Sequence, residues 1–509
     1  MLAHVTTAAL HGVEGYVVEV EVSLAGGLPS FAVVGLAQGA VREGRERVSS
    51  AIRSAGFELP SRRITVNLAP ADVRKEGSTF DLPIAVGLLL ASGQIAGPGG
   101  RWAFLGELGL DGGLRAVRGA LAVAASCRAA GVDHLVVPAE NAAEAALVSG
   151  LDVRGAGNLR DVARLMAEDA GPRRVDGVEE ARWPGDAMDG ADVSEIRGQA
   201  YAKRALEVAA AGGHNILVLG PPGTGKTMLA RRLPGILPAP TFEEALEITR
   251  VHSVAGRLPP GGSLVWRRPF RAPHHSVSDA GLIGGGSPVT PGEVSLAHHG
   301  VLFLDELPEF RRNALEALRQ PLEDGSVRVS RAAGTLTFPA RFLLVGAMNP
   351  CPCGYWGDGT DRCLCDPTQV ARYRGRVSGP LLDRMDLHVE VAAVSFHDLH
   401  EAPEGESSAA VRARVESARA RQAARLRDVP GVYANGQMGP AELRRWCRPG
   451  PRVARLLQTA VDRLHLSARA YHRILRVART LADLEGGETV LEHHAAEAIQ
   501  YRVLDRRMV

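Results

Sequence analysis

The segment Gly220-Pro-Pro-Gly-Thr-Gly-Lys-Thr227 limits what this chain can fold into more than any other stretch. It fits G-x-x-x-x-G-K-[ST]. It follows the apolar run Asn215-Ile-Leu-Val-Leu219 and precedes Met228-Leu-Ala-Arg-Arg-Leu233, which is patterned as a helix. A buried strand that passes through a glycine-rich loop into a helix N-terminus aims consecutive backbone N–H groups and the helix dipole at one point. Such a point holds phosphate. The expected ligands of ATP are Gly220, Pro221, Pro222, Gly223, Thr224, Gly225, Lys226 and Thr227. Lys226 is expected to reach the β- and γ-phosphates and Thr227 to ligate Mg²⁺.

Three later segments complete a hydrolytic reading. In Val301-Leu-Phe-Leu-Asp-Glu306 four apolar residues predict a central strand that ends in two acids. Asp305 is expected to hold the water shell of Mg²⁺, and Glu306 to polarise the attacking water. Two acids rather than one point to hydrolysis rather than nucleotide sensing. Arg341-Phe-Leu-Leu-Val-Gly-Ala-Met-Asn349 is a strand tipped by an amide, and Asn349 is placed to contact the γ-phosphate or orient the water. In Ser378-Gly-Pro-Leu-Leu-Asp-Arg-Met-Asp-Leu387, Arg384 is the candidate arginine finger, acting on a neighbour's ATP. Its alternative is an internal ion pair with Asp383 or Asp386. The helix Ser467–Arg476 is expected to carry a further sensor arginine, Arg469 first and Arg473 second. A finger acting in trans implies a homo-oligomeric ring, for which a hexamer is the usual closure.

A chain of 509 residues exceeds a single core and implies three or so domains. Residues 1–167 alternate strand and helix patterns: strands at Val17–Leu24, Ile64–Leu68, near Phe104 and at Leu135–Pro138, helices at Val41–Gly56, Leu82–Ala91 and Ala120–Ala130. Residues 168–190 are polar and rich in Gly and Pro, which reads as a linker. Residues 191–400 read as the α/β P-loop core, and Glu401–Ser408 as a loop. Residues 401–509 are helical in pattern, and 411–480 hold sixteen arginines against Glu416, Asp428, Glu442 and Asp462. That surface is either solvated or a face for nucleic acid or a neighbouring subunit. Lysine is confined to Lys75, Lys203 and Lys226, so one of three sits where a P-loop requires it. No apolar run approaches the roughly 18 residues that cross a bilayer, and Met1-Leu-Ala-His-Val lacks a secretory pattern, so a cytoplasmic location is expected.

Four of the six cysteines fall in C-x-C-x9-C-x-C: Cys351, Cys353, Cys363 and Cys365. Four soft ligands so close suit a tetrahedral structural Zn²⁺, with four free thiols as the alternative. Ser326–Arg331 and Thr335–Phe338, around Ala-Ala-Gly, predict a hairpin whose Arg328 and Arg331 suit a phosphodiester backbone. Pro269–Gly286 forms a Gly-rich insertion between Lys226 and Asp305, and its His274 and His275 read as structural.

The motifs Gly281-Leu-Ile-Gly-Gly-Gly286, Pro291-Gly-Glu-Val-Ser-Leu-Ala-His-His-Gly300, Leu304-Asp-Glu-Leu-Pro-Glu-Phe310 and Ser378–Arg384 together resemble the YifB/ComM family of magnesium-chelatase-like AAA+ ATPases, over nearly the whole chain. The resemblance implies an AAA+ core with a helical lid, and an insertion and hairpin that face a central pore. It also implies a ring-forming DNA motor of helicase or branch-migration type, with single-stranded or branched DNA as partner. Residues 1–167, through Gly106–Leu114 and Val136–Asn141, resemble an α+β Lon-protease-like domain of the ribosomal S5 domain 2 type. The Lon Ser–Lys dyad does not carry over, because Thr79 and Val123 stand at its positions; a hydroxyl without a base is a poor nucleophile. The rival readings are a chelatase-type motor that remodels a protein partner to insert metal into a tetrapyrrole, and a regulatory ATPase or unfoldase.

Overall fold

A computed structural model describes residues 1–36, 39–71, 75, 77–167, 192–259, 261–262, 264–331, 334–359, 361–392, 405–464 and 466–502. The expected linker 168–190 and the start of the 401–408 loop lie outside the described residues.

The N-terminal region is a seven-stranded mixed sheet. Its strands run in the order Ser30–Val34, Arg63–Ala69, Glu14–Ala25, Leu2–His11, Trp102–Phe104, His134–Pro138, Asp152–Ala156. Helices Gly39–Ser54, Asp81–Ala91 and Ala120–Ala129 fall where periodicity predicts them. The strands Leu2–His11 and Asp152–Ala156 and the helix Leu159–Ala167 went unread. The first of these mixes threonine, histidine and alanine, and it becomes a strand by pairing along its length with Glu14–Ala25.

The central region is a parallel five-stranded sheet in the order Phe270–Arg271, Val301–Leu304, Leu343–Met348, Ile216–Leu219, Leu387–Glu390. Every residue of Ile216–Leu219, Val301–Leu304 and Leu343–Met348 is buried. Continuous apolar runs are what a parallel sheet covered on both faces demands, and each buried Leu, Ile or Val contributes about 1.5–3 kcal/mol. In this strand order the first strand in sequence, Ile216–Leu219, sits between the last two, which is the AAA+ arrangement. The parallel register also sorts the chemistry. Leu219 pairs with Met348, so Gly220 and Asn349 leave the sheet at the same edge as Asp305.

The C-terminal region is helical: Ser408–Leu426, Pro440–Trp446, Pro451–Leu464, Ala468–Leu484 and Glu492–Gln500. It shares one apolar cluster with helices Ala200–Gly212 and Lys226–Ile236. Buried polar contacts pin it to the other edge of the sheet. His214 bridges Asp386 (3.2 Å) and Thr480 (2.8 Å), while Gln422 and Arg419 donate to the Ala211 and Ala210 carbonyls. Asp386 pays a burial cost, but the His214 hydrogen bond and nearby positive charge hold its carboxyl below the usual range.

Candidate functional site

At the carboxyl edge of the parallel sheet the P-loop closes on itself. Gly223 (φ +78°) and Gly225 (φ +82°) adopt the left-handed conformation that lets the backbone turn around a phosphate and enter helix Lys226–Ile236. Lys226 Nζ donates to the carbonyls of Gly220 (2.8 Å) and Pro221 (2.9 Å) and to Asn349 Oδ1 (3.0 Å). Burial pushes the Lys226 ammonium below its ordinary value, and the charges of Asp305 and Glu306 oppose that shift. Thr227 Oγ1 donates to Asp305 Oδ2 at 2.7 Å. One hydroxyl and one carboxylate, the donor types expected for Mg²⁺ at a P-loop, thus meet. Lys226, Thr227, Asp305 and Asn349 come together as the sequence predicts.

Glu306 is half exposed, with φ +51°, and its Oε2 lies 3.1 Å from His275 Nδ1. His275, read as structural, therefore contacts the carboxylate expected to activate water. Gln199 was missed altogether. It precedes helix Ala200–Gly212 in the left-handed region, and its Nε2 donates to the Thr224 carbonyl at 2.7 Å. Nothing in its local pattern marks it, because the contact is made by the fold.

The arginines lie elsewhere. Asn215, at the amino end of Ile216–Leu219, accepts the Asp386 and Leu387 N–H groups and donates from Nδ2 to the Arg384 carbonyl. Arg384 therefore sits at the opposite edge of the sheet from this chain's own P-loop. Its partner is Glu323, not Asp383 or Asp386, and it also donates to the Pro380 carbonyl. Arg469 pairs with Asp383 (3.4 Å) and Arg473 with Asp386 (3.6 Å). With Arg384 and Arg476 they line a cavity of about 250 Å³. The expected sensor arginines do not join the P-loop of the same chain, because helix Ala468–Leu484 carries them to Asp383 and Asp386, ahead of the strand Leu387–Glu390. Burial lowers the Arg384 and Arg473 guanidinium groups, the latter to about 10, yet both remain charged at neutral pH. Arg384 Nε and Arg476 Nε are buried without a hydrogen-bond partner.

The four predicted cysteine ligands converge. Sγ of Cys351 lies 3.3 Å from that of Cys353 and 3.8 Å from that of Cys363, Cys353 lies 3.6 Å from Cys363, and Cys365 completes the group. Two other clusters do not fit a metal. His298 Nδ1 accepts the Arg341 N–H, so its proton sits on Nε2 and is given to Glu247. His494 Nδ1 accepts the Leu491 N–H, so its Nε2 donates to Glu485. A protonated Nε2 is a donor and not a ligand.

The predicted hairpin forms between Ser326–Arg331 and Gly334–Pro339, with Val327 and Val329 buried and Arg328 and Arg331 exposed. In the insertion, Leu282 of the short helix Asp279–Ile283 is buried beside Val294, and Gly284–Gly285 pairs with Thr290–Pro291. In the N-terminal region Val123 is buried in an apolar cluster, so hydrocarbon occupies the position aligned with the Lon lysine.

A competence protein, ComM, of Haemophilus influenzae is 46% identical over 99% of this chain and 98% of its own length. This chain belongs to the YifB/ComM family of magnesium-chelatase-like AAA+ proteins. A Salmonella typhimurium protein named YifB is 44% identical over the full chain and 98% of its own length. The 38 kDa subunit of the magnesium chelatase of Acidiphilium rubrum is 27% identical over 60% of this chain and 89% of its own. The family described as magnesium chelatase, subunit ChlI, matches residues 192–399; its C-terminal counterpart matches 405–502, and subunit ChlI of Mg-chelatase matches 20–141. AAA+ proteins of this kind are ATPases that use ATP with Mg²⁺, and the Thr227–Asp305 pair fits that metal. Among the described residues no helix is long and apolar enough to cross a membrane.

Proposed function

We propose that this chain is a ring-forming, ATP-dependent DNA motor, a helicase or branch-migration factor acting in recombination or natural transformation. The observation that carries the ring is the split of hydrolytic groups between two edges of one sheet. Lys226, Thr227, Asp305, Glu306 and Asn349 hold and cleave one subunit's ATP, while Arg384, Arg469 and Arg473 serve the ATP of the next. A phosphate there displaces Glu323 from Arg384 and also accepts from its unpartnered Nε. A hexamer is the closure we favour.

The exposed Arg328 and Arg331 on the hairpin and the arginine-rich lid support DNA as the track, as does the competence protein among the relatives. The N-terminal region, read as a Lon-like domain without its dyad, assembles the ring or guides DNA. Structural Zn²⁺ on Cys351, Cys353, Cys363 and Cys365 and a cytoplasmic location complete the reading. ATP turnover measured with single-stranded, duplex and four-way-junction DNA tests it. Single-stranded or branched DNA is expected to raise turnover, and indifference to every DNA form overturns the DNA motor. The chelatase relative favours a second reading, remodelling of a protein partner. Stimulation by a protein and by no DNA form selects it.

A further inference from the structure

The loop that carries the four cysteines leaves the nucleotide site directly: Asn349 and Pro350 are followed at once by Cys351. Sulfurs bound to one zinc at about 2.3 Å stand about 3.8 Å apart in a tetrahedron. The observed separations of 3.3, 3.6 and 3.8 Å already lie near that edge length. The N–H groups of Gly354 (3.2 Å) and Trp356 (3.3 Å) both donate to Cys351 Sγ, an arrangement that suits a thiolate. The chemistry of the donor set therefore fits zinc.

The position of the loop adds a second fact. Gly354 lies against the P-loop: a Cβ there falls 2.5 Å from Cδ and 2.6 Å from Cγ of Pro222, and 3.8 Å from Cγ of Asn349. Only a bare backbone can approach so closely, and φ +91° at Gly354 favours glycine as well. The far end of the loop is equally fixed. Asp366 caps helix Pro367–Arg374, whose Arg374 donates back to the Pro350 carbonyl at 3.0 Å. The sulfur cluster thus ties down a loop that touches the phosphate-binding turn on one side and the amide that receives Lys226 on the other.

We propose that the cysteine loop is a brace on the P-loop, through which zinc occupancy sets nucleotide affinity. The inference rests on the zinc reading. A metal that closes this loop holds Gly354 against Pro222 and keeps the turn in its phosphate-binding shape, so the ordering cost is met before ATP arrives. Zinc has no part in the hydrolytic step.

The test uses the full-length oligomer purified without chelator. Zinc per protomer is measured by elemental analysis, and affinity for a fluorescent ATP analogue with Mg²⁺ is measured as purified, after a zinc-selective chelator, and after zinc is returned. Circular dichroism follows the fold. One zinc per protomer is expected, with affinity about tenfold weaker after stripping and restored by zinc. Gly354→Ala is expected to keep its zinc and weaken affinity to a similar degree. Adding Pro222→Ala to it removes the colliding ring and recovers part of the loss relative to Gly354→Ala. Protein without zinc sinks the metal reading and with it the metal dependence, while Gly354→Ala still reports on the contact. Stripped, folded protein with unchanged affinity leaves the zinc reading standing and overturns the brace. If stripping unfolds the protein, Gly354→Ala decides alone, and unchanged affinity in that variant overturns the brace.

Discussion

The two edges of the parallel sheet are built on opposite plans. At the carboxyl edge the groups expected to hold ATP and Mg²⁺ are partnered within the same chain: Lys226 with Asn349, Thr227 with Asp305, and beside them Gln199 Nε2 with the Thr224 carbonyl. At the amino edge four guanidinium groups face one cavity; three are ion-paired, yet Nε of Arg384 and of Arg476 has no hydrogen-bond partner. A closed set of contacts can bind a ligand unaided. Four guanidinium groups facing the cavity against Glu323 and Asp386 leave a surplus of positive charge that an anion offsets, so the amino edge is the half of a site that a neighbour completes.

The sharpest way to separate the edges is to remove one group from each. Glu306→Gln is expected to keep nucleotide affinity and lower turnover by about 10³-fold, since the attacking water loses its polarising carboxylate. Arg384→Ala is expected to reach a similar loss in steady-state turnover with affinity of the same order, although the residue lies at the far edge from its own P-loop. Lys226→Ala is expected to weaken nucleotide binding by about 10²-fold, read by a fluorescent ATP analogue, because a charge-assisted contact to phosphate is lost. An Arg384 variant that lost affinity instead of turnover would erase the distinction between the edges.

The smallest expected effect concerns His298, three residues ahead of the strand Val301–Leu304 and hence at the amino edge. Burial holds its imidazole down at about 4, from an ordinary 6.5, although Glu247 pulls the other way. Below pH 6.5 the unfolded chain takes up a proton that the folded chain refuses until about pH 4. Stability therefore falls across that window and levels off beneath it. The loss is on the order of 3 kcal/mol, measured as a lower urea midpoint. His298→Gln should flatten this dependence.

Much of the carboxyl edge is legible in the sequence because its parts are local: a strand ending in a glycine loop, a strand ending in two acids, a strand ending in an amide. The hairpin is legible for the same reason, with buried Val327 and Val329 alternating against exposed Arg328 and Ser330. The amino edge is not. That Glu323 and not Asp383 receives Arg384 depends on where helix Arg319–Asp324 lies, and that Arg469 and Arg473 reach the amino edge depends on how the C-terminal helices pack through His214, Asp386 and Thr480. No periodicity carries that information. The cysteine spacing predicts a cluster but not its resting place against Pro222, which is set by where the strand Leu343–Met348 ends. His275 reads as a polar residue of an insertion until the fold brings it to Glu306.

The account turns on one claim, that each hydrolytic site is completed by the next subunit. The direct test mixes Lys226→Ala with Arg384→Ala protein and measures ATP turnover. With ATP held below saturation for Lys226→Ala, each variant alone is expected to turn over slowly, the first through weakened binding and the second through the missing arginine. In a mixed ring about a quarter of the interfaces pair an intact P-loop with an intact arginine, so turnover well above the sum of the two is predicted. Turnover that stays at the sum, in rings shown to contain both variants, contradicts it.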